Sequence, residues 1–246
     1  MTDSGIGDSV EGIHAVAAAA AAGRVTTLFL QASRADQPAV AAIAEAVAAS
    51  GGEVRVTADI EGVATTTAPQ GVVAKTRPLP TVKIADLGVA NRTPAVVVLD
   101  HLEDPHNVGA VARSAVAAGF TGMLIASRRA SPLSASAFKA AAGALETLPV
   151  AVTSSIPKAL QDLRRRGLWI VALDASGETS IFGLDLLTEP LALVVGAEGS
   201  GLGRLTAEVA DVVASIPMVS ASEGLNASTA AAVACFEVAR RRGWVT

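Results

Sequence analysis

Three short segments of the chain combine polar side chains with glycine in patterns that packing alone does not demand. The first is Asp104-Pro105-His106-Asn107-Val108-Gly109, running on into Ala110-Val111-Ala112-Arg113. The second is Gly196-Ala197-Glu198-Gly199-Ser200-Gly201-Leu202-Gly203, directly after the apolar run Leu191 to Val195. The third is Ile216-Pro217-Met218, followed at Leu225-Asn226 by the start of a long helical pattern. Together they supply one Arg, one Glu and two Asn at loops that join strands to helices. A guanidinium grips an anion in a fork, a carboxylate orients donors, and a carboxamide both donates and accepts. Such a set suits placing a polar substrate and moving a proton. Each segment also has an ordinary use. Asn107 and Asn226 are placed to cap helices, and Gly109 lets another backbone or a ligand approach a first turn. Arg113, set among Val111, Ala112, Ala115 and Val116, reads either as an ion-pair partner or as a substrate clamp.

Other chemistries are excluded or disfavoured on the same grounds. The glycine loop has G-x-G-x-G spacing and lies near the C-terminus, so it is a weak match to a dinucleotide fingerprint, and no G-x-x-x-x-G-K-[ST] occurs. The single cysteine, Cys235, rules out an internal disulfide and reads as a small core residue. With three histidines, His14, His101 and His106, no cysteine- or histidine-rich metal cage can be assembled, so no metal is expected. Five Phe, two Trp and no Tyr leave little for an aromatic platform that stacks bases; Trp169 and Trp244 read as packing.

The elements that must position these segments follow from the apolar pattern. With 51% apolar and 17% charged residues the chain has ample mass for a core, built mostly from Ala, Val, Leu and Ile. Continuous apolar runs of strand length recur at Ala95 to Leu99, Gly122 to Ala126, Leu148 to Val152, Trp169 to Leu173, Leu191 to Val195 and Val212 to Ile216. Helical stretches fit between several of them, at Val108 to Ala118, Ser134 to Ala144, Ile156 to Arg166 and Leu225 to Arg242. Buried strands alternating with helices imply an α/β fold with a parallel sheet covered on both faces. Upstream, helices at Gly12 to Ala22 and Pro38 to Ala49, a short helix near Asp59 to Ala64, and strands at Val25 to Leu30, Glu53 to Thr57 and Gly71 to Lys75 predict a separate small α/β unit. The proline-bearing stretch 77–94 is the linker candidate, giving units 1–76 and 95–246.

Residues 1–76 hold eight acidic against four basic side chains, a balance of −4, while residues 77–246, linker included, hold fifteen of each sign. The Arg164-Arg165-Arg166 and Arg240-Arg241-Arg242 clusters read as solvated helix ends favoured by the dipole. Arg128-Arg129, in a loop after a strand, reads equally as a solvated pair or as a phosphate contact. No apolar, charge-free stretch reaches membrane-spanning length, and the Ala-rich segment from His14 to Gly23 lacks the basic lead of a signal peptide, so a cytoplasmic location is expected.

The three segments, in this order and spacing, resemble the motifs of the SpoU (TrmH) branch of the SPOUT RNA ribose 2′-O-methyltransferases: N-x-G-x-x-x-R at Asn107 to Arg113, G-x-E-G-x-G-L at Gly196 to Leu202, and I-P-M with a later L-N at Ile216 to Asn226. The resemblance covers residues 95–243. The first unit, through Gly12-Ile13-His14-Ala15-Val16 and Gln70-Gly71-Val72-Val73-Ala74, resembles the substrate-binding domain of the RlmB-type subgroup, which methylates a guanosine ribose in 23S rRNA.

The resemblance implies a C-terminal trefoil-knotted parallel-sheet domain, a small ribosomal-protein-like N-terminal domain, and a homodimer with an active site shared between subunits. It implies S-adenosylmethionine as cofactor, held by the backbones of Gly196, Ile216 and Leu225, with Val195, Met218 and Asn226 beside them. Asn107, Arg113, Glu198 and Asn226 become the catalytic set, with Arg113 clamping a phosphate and steadying the developing alkoxide while Glu198 orients it. Arg113 itself does not serve as a base, since guanidinium groups do not deprotonate in proteins. His106 ranks low as the base because the family accepts other residues there. RNA, with 23S rRNA foremost, is the implied partner; a tRNA or antibiotic-site rRNA enzyme and a non-catalytic RNA-binding relative are the alternatives. The chain departs from the family pattern at Ser220, usually Gly, at Gly224, usually Ser, with Ser222 or Ser228 as possible substitutes, and at Pro69, usually His.

Overall fold

Runs of Val, Leu, Ile and Ala that are buried on both sides form the centre of a seven-stranded sheet, because only a strand covered on both faces can use so continuous an apolar sequence. The computed structural model describes residues 6–89, 91–128, 133–199, 201–219 and 224–244. The N-terminal unit comprises β1 (Ser9–Glu11), α1 (Ile13–Ala21), β2 (Val25–Gln31), α2 (Pro38–Ala49), β3 (Glu53–Thr57) and β4 (Val72–Thr76). Its sheet has the order β1-β4-β2-β3, with β4 antiparallel to β1 and β2 and β3 parallel to β2.

The larger unit comprises β5 (Ala95–Asp100), α3 (Pro105–Ala117), β6 (Gly122–Ala126), α4 (Ala135–Ala141), α5 (Ala144–Thr147), β7 (Val150–Thr153), α6 (Ile156–Arg165), β8 (Trp169–Leu173), β9 (Thr179–Ser180), β10 (Leu191–Gly196), α7 (Arg204–Val209), β11 (Val212–Ser215) and α8 (Ala227–Arg241). All of its strand pairs are parallel, in the order β7-β6-β5-β10-β8-β11-β9. Alternation along β5 serves both faces: Val97 and Leu99 join the cluster that holds α3 and α8, and Val96 and Val98 join the one that holds α6. The first of these clusters continues into the N-terminal unit through Val10, Val16 and Leu28, so the two units share apolar contact.

Several local expectations are corrected. Residues 59–64 form a turn rather than a helix, because the Asp59 carboxylate accepts the Glu61 and Gly62 N–H groups at 3.0 and 3.1 Å and so caps a turn that goes no further. The cap of α3 is Asp104, whose side chain accepts the His106 N–H at 2.9 Å; Pro105 takes the first helical position, which places Asn107 inside the first turn. Asn226 does cap α8, accepting from the Ser228 and Thr229 N–H groups. The two Arg clusters do close their helices and stay exposed at Arg164, Arg165, Arg166 and Arg240, and several of their side chains also find protein partners. Arg164 pairs with Asp211 and Arg241 with Asp185, while Arg166 donates to the Ile84 and Leu87 carbonyls. Arg242 donates to the carbonyls of Leu187, Thr93 and Pro94 under the Trp244 ring, and burial lowers its pKa to about 10.

Candidate active site

Parallel strands of an open α/β sheet gather their carboxyl ends on one edge, where ligands bind. Here β5, β8, β10 and β11 bring Asp100, Leu173, Gly196 and Ser215 to that edge. After β10 the chain turns at once: Ala197 and Gly201 exchange backbone hydrogen bonds of 3.0 and 2.9 Å, folding the glycine loop back on its own strand. A β-carbon at Gly196 would sit 2.5 Å from the Gly201 carbonyl, so the fold-back needs glycine there. Gly199 and Gly201 hold φ of +76° and +64°, the left-handed region that favours glycine.

This loop delivers Glu198 to two carboxamides. Its Oε1 accepts from Asn107 Nδ2 at 2.7 Å and from Asn226 Nδ2 at 2.5 Å, and Asn226 Nδ2 also reaches Asn107 Oδ1 at 3.1 Å. Asn107 is buried, so its amide has to find partners, and it finds them on the loop and on α8. Three of the four polar residues singled out in the sequence thus form one triangle joining the three segments.

The fourth, Arg113, does not join it. It lies on the exposed side of α3, two-thirds of a turn from Asn107's face, and among the described residues it makes no hydrogen bond or ion pair. The expected orientation of Arg113 by Glu198 is therefore absent within one protomer, because Arg113 projects from a different face of α3 than the one that meets Glu198. Arg128 is exposed; Arg129, Ser220 and Ser222 lie outside the described residues. Ser228 donates its hydroxyl to Asn226 Oδ1 at 2.6 Å, inside the cap of α8.

Beside the triangle opens a cavity of about 570 Å³, within the range of roughly 300–1,000 Å³ typical of small-molecule sites. Val195, Gly196, Ile216, Met218, Leu225 and Asn226, all marked in the sequence, line it. Leu173, Asp174 and Ala214 line it too, and these the sequence reading missed. The available signal was their position at the ends of β8 and β11. Hydrogen bonds from the Ser176 hydroxyl and the Ser176 and Leu202 N–H groups outweigh partial burial and hold the Asp174 carboxyl below its usual range. Gly224, with φ of +94°, meets nothing within 4 Å at its β-carbon position and opens onto the same space.

The donor set fits S-adenosylmethionine. Apolar Leu173, Val195, Ile216 and Leu225 offer a slot for a purine, while the Asp174 and Glu198 carboxylates and the loop backbone offer acceptors for hydroxyl and ammonium groups and favour a cationic sulfonium. Among the described residues no group of three or more His, Cys, Asp or Glu could hold a metal ion, and no helix is long and apolar enough to cross a membrane. Cys235 is fully buried, and burial raises its thiol pKa, so it takes no part.

A parallel α/β sheet with a glycine loop, a carboxylate–amide triangle and a small-molecule cavity at its carboxyl edge defines a cofactor-dependent transferase. Comparison with known proteins supplies the rest. Residues 94–236 match the model of the SpoU rRNA methylase family, and residues 9–82 match that of the RNA 2′-O ribose methyltransferase substrate-binding domain. The chain is 41% identical over 177 residues to YacO of Bacillus subtilis (strain 168), described as a TrmH family tRNA/rRNA methyltransferase, covering 70% of this chain and 71% of that one. It spans about half the length of mycobacterial tRNA/rRNA methyltransferase relatives; that of Mycobacterium avium is 45% identical over 62% of this chain and 50% of its own.

Among solved structures, the SpoU methyltransferase AviRb from Streptomyces viridochromogenes superposes with a TM-score of 0.81 at 25% identity, covering 96% and 90% of the two chains. The AdoMet-bound rRNA methyltransferase from Sinorhizobium meliloti gives 0.78 at 26%, covering 97% and 88%. The chain belongs to the SpoU methylase family, with a SpoU substrate-binding domain ahead of the methylase domain, and S-adenosylmethionine is its cofactor.

Proposed function

We propose that this protein methylates a ribose 2′-hydroxyl of RNA, on a guanosine of 23S rRNA in the manner of the RlmB-type subgroup, and works as a cytoplasmic homodimer. The observation that carries the reading is the Glu198–Asn107–Asn226 triangle at the mouth of the cofactor cavity, held by all three motif segments. The match of the N-terminal unit to a ribose methyltransferase substrate-binding domain supports the ribose as acceptor.

When bound, the cofactor supplies a methyl group already activated on a cationic sulfur. The chain's own work is then to align a hydroxyl with it and to take up a proton. Asn226 spends both Nδ2 hydrogens on Glu198 and Asn107, which leaves one Nδ2 hydrogen of Asn107 to hold a ribose oxygen. Arg113, exposed and without a hydrogen bond or ion pair among the described residues, is available to clamp a phosphate.

A second protomer fits the exposed faces of α3 and α8. These present Arg113 and Ala117 on one helix and Phe236, 44% exposed, on the other, and they pack against each other in the same layer. The trefoil knot belongs to the same reading: β8 lies between β10 and β11, both later in the chain.

The test is product analysis. Incubation with S-adenosylmethionine and in-vitro-transcribed 23S rRNA, then digestion to nucleosides and mass spectrometry, should yield 2′-O-methylguanosine. Arg113→Ala should lower that yield at least a hundredfold while calorimetry shows cofactor affinity unchanged. A methyl group on a base, transfer to tRNA alone, or an undiminished Arg113→Ala enzyme would each overturn the corresponding part of the reading.

A further inference from the structure

Ala197, Glu198 and Gly201 line two cavities at once. One is the cofactor cavity; the other, also about 570 Å³, is lined by Asp100, His101, Glu103, Asp104 and, shared with the first, Glu198. A nucleophile must approach the methyl carbon from the side opposite the departing sulfur, so the acceptor hydroxyl comes from beyond the cofactor cavity. The second cavity meets the first at the shared Glu198 and gives an acceptor hydroxyl an approach that does not pass through the cofactor cavity.

At the end of β5, His101 holds φ of +60°, a backbone that costs a residue bearing a β-carbon free energy and that clusters at functional sites. That conformation sets the ring against Asp100, with Nδ1 2.6 Å from Oδ1. Asp100 has 1% of its side chain exposed, and its other oxygen accepts the Gly203 N–H at 2.9 Å. A carboxylate fixed in this way is an acceptor, so His101 donates through Nδ1, and Nε2 makes no hydrogen bond among the described residues. The imidazole is 43% exposed and faces the cavity.

We propose that the Asp100–His101 pair is the proton acceptor of the methyl transfer, an inference that rests on the ribose reading above. The 2′-hydroxyl proton passes to His101 Nε2 while the oxygen forms its bond to the methyl carbon. The carbon–sulfur pair leaves with the sulfur, turning a cationic sulfonium into a neutral thioether. The imidazolium, paired with Asp100, then returns its proton to water. Among the described residues the charged groups facing this cavity are Asp100, Glu103, Asp104 and Glu198. Four carboxylates oppose a free alkoxide, so the proton has to leave for a neutral acceptor as the oxygen attacks. His106 is exposed on the first turn of α3 and is not among the residues lining either cavity.

The discriminating variant is His101→Gly, which removes the ring at a backbone position that glycine adopts freely. It should melt at a higher temperature than the natural protein and bind S-adenosylmethionine equally well. Single-turnover methylation of in-vitro-transcribed 23S rRNA and tRNA should fall at least a hundredfold and recover in part with added imidazole. Independently of turnover, 15N NMR should show His101 as the Nδ1-protonated tautomer, lost in Asp100→Asn. A ring protonated on Nε2 instead, or a His101→Gly protein that forms 2′-O-methylnucleoside at the natural rate, overturns the pair and leaves the ribose reading standing. Base-methylated product from the natural protein overturns both.

Discussion

Glu198 Oε1 takes two amide donors at once, and the arginine stays apart because it projects from another face of α3. At the residue scale, much of the site was legible: Asn107, Glu198 and Asn226 converge, and the cavity residues named from the motifs line one space. Asp174, Asp100 and His101 were not, because an Asp or His after a strand carries no local signature; only the parallel register brings those strand ends together. Gly224 separates two explanations of the family's usual Ser. Its φ of +94° is a conformation in which a β-carbon costs roughly 1–2 kcal/mol, whatever the open space around it. Gly224→Ser should therefore lower the unfolding free energy by roughly 1–2 kcal/mol, measured by urea denaturation, without raising turnover. A large gain in turnover would mean that the natural residue impairs catalysis.

At the scale of elements, α3 holds Asn107 in register by packing closely on α4. A β-carbon on Gly109 would collide with the Ala137 carbonyl and stand 2.7 Å from the Ala140 Cβ, so this helix pair requires glycine at the contact. Gly109→Val should cost about 1–3 kcal/mol in urea unfolding and slow transfer as well, since Asn107 lies two residues away on the displaced turn. An unchanged unfolding midpoint would show that α4 can give way. The long parallel strands were readable because apolar runs of five or six residues have few other uses. The short elements β1, β9 and α7 were not, for they have too few residues to show a period and exist through their neighbours: β1 pairs with β4, and β9 pairs with β11. The cap of α3 was misplaced by three residues because Pro105, which fixes where the helix starts, points to Asp104 rather than to Asn107.

Across the whole molecule, the N-terminal unit is bolted to the larger one by Arg24. Its guanidinium pairs with Glu146 through Nε and Nη2 at 2.8 and 2.6 Å, donates to the Gly7 carbonyl at 3.2 Å and lies 5.5 Å from the Phe138 ring centroid. Both partners are almost fully buried, with side-chain exposures of 7% and 3%. Arg24→Ala would strand the Glu146 charge and should cost about 3–5 kcal/mol, seen as a drop in melting temperature. A change within measurement error would mean that the apolar contacts alone hold the units together. The lining shared by the two cavities has a consequence for binding order. Ala197, Glu198 and Gly201 belong to both, so whatever settles them for one ligand alters the free energy of receiving the other. Thermodynamic linkage makes that influence mutual: the factor by which bound cofactor changes the affinity for RNA must equal the factor by which bound RNA changes the affinity for cofactor.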